Sequence, residues 1–75
     1  SEKKIKFYID DTFLMKRYYR GTRVTVRKLK KIVKGYAESN VKSLKEDQVI
    51  QFSRFGFCRL DKKEKSKLLF WFSHK

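Results

Sequence analysis

Leu68, Leu69, Phe70, Trp71 and Phe72 form an unbroken run of large apolar side chains close to the end of the chain, and no other feature restricts the fold as much. Residues 67–74 read as a strand, and because strand side chains alternate between faces, the run must populate both of them. At the edge of a small sheet one face would stay wet, and a partner chain covering it is the simplest remedy. The run therefore predicts a homodimer. Upstream of it, Asp61, Lys62, Lys63, Glu64, Lys65 and Ser66 offer no core residue and read as a polar turn. Before the turn, Ile50 and Phe52, then Phe55, Phe57, Cys58 and Leu60, alternate as a strand whose parity slips at Phe55 and Gly56. A bulge shifts parity in this way, and Gly accepts its conformation. The two strands make a C-terminal antiparallel β-hairpin.

The first half reads differently. Ile5, Phe7 and Ile9 alternate with Lys6 and Tyr8, the pattern of a short N-terminal strand. Asp10 or Asp11 then supplies a helix cap, Phe13, Leu14, Met15 and Tyr18 share a stripe, and Gly21 fits a C-cap, which predicts a helix over about 12–20. After a cap at Thr25, the residues Val26, Leu29, Ile32, Val33, Tyr36, Ala37, Val41 and Leu44 are spaced by three and four. That spacing predicts a long amphipathic helix with Arg27, Lys28, Lys30, Lys31 and Lys34 on its other face. It either runs unbroken to about Asp47 or breaks near Asn40, where Ser43 and Glu46 would form a capping box for a third helix. The predicted fold is α+β: a short N-terminal strand, helix, turn, long helix and hairpin. With no Pro and three Gly there is no linker, and residues 1–75 read as one domain.

Charge sets the class of function. Twenty-one Lys and Arg against eight Asp and Glu leave +13 at pH 7, an excess that opposes compaction unless a polyanion answers it. Disorder is excluded by 40% hydrophobic and 16% aromatic content. Cys58 is the only cysteine, so neither a disulfide nor a structural zinc site can form, and a reducing, intracellular setting fits. No apolar run approaches the roughly 20 residues of a spanning helix, and the Lys-rich start lacks a signal peptide's apolar core. Enzyme chemistry finds no support: His74 is the sole His and sits at the C-terminal end, Asp10 and Asp11 read as a cap, and Cys58 reads as a core residue. No Gly-rich phosphate loop is present. The expectation is a protein that is not an enzyme and has no metal, cofactor, small-molecule substrate or membrane partner.

Two surfaces can carry a nucleic acid. If Phe52, Phe55, Cys58 and Leu60 point inward, then Arg54, Phe57 and Arg59 point outward beside Lys62, Lys63, Lys65 and Lys67, forming a cationic sheet face. The alternative takes residues 12–39 as a helix-turn-helix and 49–74 as a wing, with Arg27, Lys28, Lys31 and Lys34 entering a major groove. That is a winged-helix transcriptional regulator. A third class is a phage or viral inhibitor gripping a host protein through residues 68–72.

Ser43, Leu44, Lys45 and Glu46, followed by Ile50 and Phe52, Phe55 and Gly56, then Cys58 and Leu60, resemble the HU/IHF family of histone-like DNA-binding proteins. In the resemblance Thr25 falls at the cap of helix two, and Leu14, Met15 and Tyr18 fall on core positions of helix one. It covers about residues 12–60 and implies a dimer that grips the DNA backbone without sequence preference. The chain departs from that family in having Arg54 before the Phe-Gly pair, six turn residues in place of long arms, and no Pro. Arm-driven kinking of DNA is therefore not expected. The resulting expectation is a cytoplasmic or nucleoid-associated protein that binds DNA in preference to RNA.

Overall fold

The computed structural model describes residues 3–10 and 21–75. Its strands are β1 (Lys3–Ile5), β2 (Phe7–Ile9), β3 (Thr22–Lys28), β4 (Lys31–Ala37), β5 (Val49–Phe52), β6 (Gly56–Lys63) and β7 (Leu68–His74), with a short 3-10 helix at Ser39–Ser43. All seven strands belong to one sheet in the order β1-β5-β6-β7-β3-β4-β2. Its two edges, β1 and β2, are neighbours in sequence separated by Lys6 alone, so the sheet curls into a nearly closed barrel whose seam is a single run of chain. At that seam Lys6 N–H donates to Glu38 Oε2 at 3.2 Å. Glu38 N–H reaches Lys6 O at 3.2 Å, and Ser53 N–H reaches Ile5 O at 2.9 Å.

The interior follows from strand alternation. Ile5, Val24, Val26, Val33, Ala37, Ile50, Phe52, Cys58, Leu60, Leu68 and Phe70 face inward and are buried, with Val41 and Leu44 joining them from the 3-10 segment and the loop after it. Phenylalanine rings join opposite walls, Phe7 to Phe52 at 4.6 Å and Phe52 to Phe70 at 5.0 Å between centroids. At one end Lys28 Nζ lies 4.3 Å from the centroid of Phe72 and 5.3 Å from that of Phe55.

The α+β expectation is overturned, and the predicted long helix is the reason. Residues 25–37 lie in an antiparallel hairpin, in which Val24 pairs with Gly35 and Val26 with Val33. Val24, Thr25, Val26, Ile32 and Val33 are β-branched, and such side chains pack well on a pleated surface. Two anchors of the helical spacing are not core residues at all: Leu29 is 95% exposed in the hairpin turn, and Ile32 is 58% exposed. Thr25, read as a helix cap, lies buried in mid-strand, and Ser43 ends the 3-10 helix instead of opening a third α-helix. With no α-helix among the described residues and the predicted long helix replaced by a hairpin, neither the HU-like fold nor the helix-turn-helix with a wing remains. The predicted helix over 12–20 lies outside the described residues.

Gly35 is fixed by the approach of β2, since a Cβ there would fall on the Tyr8 carbonyl oxygen and 2.7 Å from the Phe7 ring. Gly56 is not a bulge residue. It opens β6 directly after the turn at residues 53–55, with φ +142°, and a Cβ on it would lie 2.6 Å from the Phe72 ring. The bulges fall later, between Phe57 and Cys58 and between Leu60 and Lys62.

The homodimer loses its premise. Strand β7 is not an edge, because it pairs with β6 on one side and with β3 on the other. Leu68 and Phe70 fill the barrel, Leu69 and Phe72 are half-buried, and Trp71 is left on the outside, 39% exposed. For the same reason the inhibitor reading, which needed an open strand at 68–72, is not retained. Among the described residues no helix is long and apolar enough to cross a membrane.

Candidate nucleic-acid interface

Strand registers decide which outward side chains meet. Arg27 of β3 stands opposite Trp71 of β7, and Trp71 stands opposite Arg59 of β6. Ile32 of β4 lies beyond Arg27, and Val49 of β5 lies beyond Arg59. A row Ile32, Arg27, Trp71, Arg59, Val49 thus crosses the outer surface of the sheet. The Arg27 guanidinium carbon is 5.7 Å from the centre of the Trp71 ring, within cation–π range. Arg59 is tied on its other flank, with Nη1 2.9 Å from Asp47 Oδ1 and 3.9 Å from Asp61 Oδ1. These pairs are solvent-exposed and add little stability; their effect is to fix where Arg59 points.

Two further aromatics share the outward parity, although Tyr36 is itself buried. Phe57 stacks on His74 at 4.7 Å and 19°, and Arg23 lies 5.5 Å from the centre of the Tyr36 ring. In the row adjacent to Trp71, Lys34 pairs with Thr25, Thr25 with Leu69, and Leu69 with Lys62.

The remaining predicted site residues are dispersed. Lys63, Lys65 and Lys67 line an open groove of about 530 Å³ with Lys42 and Arg23. There Lys63 Nζ donates to the Lys42 carbonyl at 3.1 Å, and Lys67 lies 3.9 Å from Glu64. Arg54 occupies the β5–β6 turn with φ +62° and borders a second groove of about 440 Å³ with Lys4, Lys6 and Tyr8. Lys28 is engaged by Phe72 and Phe55, and Lys31 pairs with it across the base of the β3–β4 turn. The structure therefore joins what the sequence reading had set apart: Arg27, from the supposed groove helix, and Arg59, from the supposed sheet face, flank the same Trp71. Trp71 and His74 were missed as surface residues, the first read as part of a dimer contact and the second as a tail. Period-two alternation of Arg23, Thr25 and Arg27 against Val24 and Val26 was the available signal for this face.

Cys58 lies inside the barrel, where burial pushes its thiol from 9.0 up to about 12, an effect that nearby Lys28 only partly offsets. It is a core residue with no part in the outer face.

Comparison with known proteins gives this surface its context. Residues 3–61 match the family described as the anticodon-binding domain of class I tRNA synthetases for glutamate and glutamine. Similar curated proteins are glutamate–tRNA ligases: 42% identical over 43 residues in Methanococcus maripaludis strain S2, covering 57% of this chain and 8% of the ligase. The ligase of Pyrococcus furiosus is 46% identical over 44 residues, 59% of this chain and 8% of that protein. That of Sulfurisphaera tokodaii is 43% identical over 42 residues, 56% and 7%. The matched stretches span less than a tenth of the length of these relatives.

These matches overturn the histone-like, HU/IHF assignment and the winged-helix alternative. A nucleic-acid partner stands, but nothing supports a preference for DNA or a homodimer. The expectation that the protein is not an enzyme is corrected as well, since the relatives are ligases and the matched family is an anticodon-binding domain of tRNA synthetases. By the extent of the match, from the first described strand into β6, the chain belongs to the family of anticodon-binding domains of the class I glutamate and glutamine tRNA synthetases.

Proposed function

We propose that these 75 residues act as a single RNA-binding domain, the anticodon-binding part of a cytoplasmic glutamate–tRNA ligase. The observation that carries this reading is the outer row of Arg27, Trp71 and Arg59 in a chain of that family. An anticodon is unpaired, and proteins read unpaired RNA by combining cations for the phosphates with aromatic surfaces for the bases. Arg27, Lys34, Arg59 and Lys62 with Phe57 form the centre of the contact. Lys63, Lys65 and Lys67 extend it along one border, with Lys28, Lys31 and Arg54 contributing long-range attraction from the barrel ends. No reaction step is assigned to this chain, and the catalytic work belongs to the parts of the ligase it does not span.

The test is competition between nucleic acids, followed by anisotropy of a labelled stem-loop RNA with an anticodon-sized unpaired loop. The stem-loop should bind more tightly than duplex DNA of equal length. Log affinity should fall with log salt, by about 0.7 for each phosphate neutralised on the unpaired segment. Equal or tighter binding of duplex DNA, or affinity indifferent to salt, overturns the reading.

A further inference from the structure

We infer that Trp71 is the seat of one unpaired base, with the sugar–phosphate strand lying toward β3 and β4 and the base edge pointing to Arg59 and Asp47. The inference rests on the RNA-binding reading and adds to it a place, an orientation and a division of labour among residues.

The place follows from burial and pairing. Every other large ring on β7 and its inward neighbours is used in the core, whereas the chain's single Trp stands on the solvent side of a central strand. A flat indole held there, with a guanidinium beside it, presents two surfaces on which a base can stack, the ring itself and the plane of Arg27. Strands on both sides fix the backbone under Trp71, so the platform is held by the sheet and not by a loop.

The orientation follows from charge. On the β5 and β6 side Asp47 and Asp61 both face Arg59, and a phosphate brought there would meet two carboxylates. On the β3 and β4 side Arg27 stands directly opposite Trp71, with Lys34 one row on, and the carboxylate described there, Asp10, lies beyond β4 along Lys34 and not against Arg27. The phosphates therefore belong over β3 and β4. The base edge then meets Arg59, a donor only, and Asp47, an acceptor only. This pair can tell base edges apart, whereas Arg27 and Lys34 meet only phosphate, which every nucleotide carries.

Trp71 reports on its own occupancy, because no other Trp contributes to emission. Titration of the 75-residue chain with hexanucleotides of U, C and A should quench that emission, and a blunt RNA duplex should not. Trp71→Ala should weaken hexamer binding roughly 5- to 150-fold, the effect of losing one stacked base, with the salt slope unchanged. Trp71→Phe should keep most of the affinity, and thermal melting should show both variants folded. Arg27→Gln should lower affinity for all three hexamers alike and reduce the salt slope by about one, whereas Asp47→Asn should change the order of preference among them. Hexamers bound without quenching, together with wild-type affinity in Trp71→Ala, overturn the platform and leave the RNA-binding reading intact. Parallel effects of Arg27→Gln and Asp47→Asn on all hexamers overturn the orientation. Failure to bind any RNA removes both the platform and the reading beneath it.

Discussion

The inner and outer faces of the same strands carry similar rings to opposite ends. On β7, Phe70 points inward and meets Phe52 at 5.0 Å, while Trp71, the next residue, points outward and meets Arg27 at 5.7 Å. On β6, Cys58 and Leu60 are wholly buried, while Phe57 lies outside on His74. Ring chemistry does not separate these roles. Neighbours do: Phe70 touches other apolar groups and holds the barrel, whereas Trp71 touches a cation and leaves part of its surface to solvent. On β7 an aromatic is structural or available according to the parity of its position.

The sharpest way to break that contrast is to truncate one ring from each face. Phe52→Ala should cost about 3–5 kcal/mol, comparable with the whole stability of so small a domain, so the variant should be largely unfolded. Trp71→Ala, by contrast, should stay within about 1 kcal/mol of the parent in urea denaturation. Equal destabilisation by the two would mean that the outer ring is part of the core.

A smaller effect tests how closely the inner face is packed. Gly35→Ala places a Cβ against the Tyr8 carbonyl and the Phe7 ring, and should cost about 1–3 kcal/mol. Denaturation midpoints measure it, and an unchanged midpoint would show that β2 is free to shift away.

The smallest effect is confined to alkaline solution. Cys58 ionises near 9.0 in the unfolded chain but near 12 when buried. Between those values the unfolded state gives up its proton first, so stability falls as pH rises above about 9 and the contribution is fully present below it. At pH 10 the loss should be roughly 1.4 kcal/mol, read as the difference in pH dependence between the parent and Cys58→Ala. In native buffer at pH 8 the thiol should resist alkylation that proceeds readily in urea, and rapid native labelling would place Cys58 on the wrong face.

Some of this arrangement was legible in the residues. Strand β7 was found, as was the inward set Phe52, Cys58 and Leu60, because large apolar side chains at alternate positions have few other uses. The class of partner was legible in the charge. The hairpin of β3 and β4 was not, because Val26, Leu29, Ile32, Val33, Tyr36 and Ala37 satisfy spacings of three and four, while Val24, Val26, Val33 and Ala37 also fit two strands joined by a turn. Leu29 tipped the balance toward a helix, yet its side chain lies in water. The HU-like resemblance failed on similar grounds: Phe55 and Gly56 end a tight turn here, and Ser43 to Glu46 leave a 3-10 helix for a loop, so matching letters stood on unmatched backbone. Trp71 could not be placed outside until β7 was known to have neighbours on both sides, since five apolar residues in a row hide the parity that separates platform from core.

The single-residue junction at Lys6 has a consequence for how the barrel comes apart. The run on either side of it is stitched to β5 through Lys3, Lys4 and Ile5, and to β4 through Phe7, Tyr8 and Ile9. One short thread thus closes both selvedges of the cloth. Lifting the whole thread bares two ladders of unpaired amides and carbonyls together, the kind of margin that recruits strands from other chains. As the chain lengthens, the half of the thread that joins β4 has its partner once residue 37 has been made, whereas the half that joins β5 waits for residue 52, and until then that margin stays open.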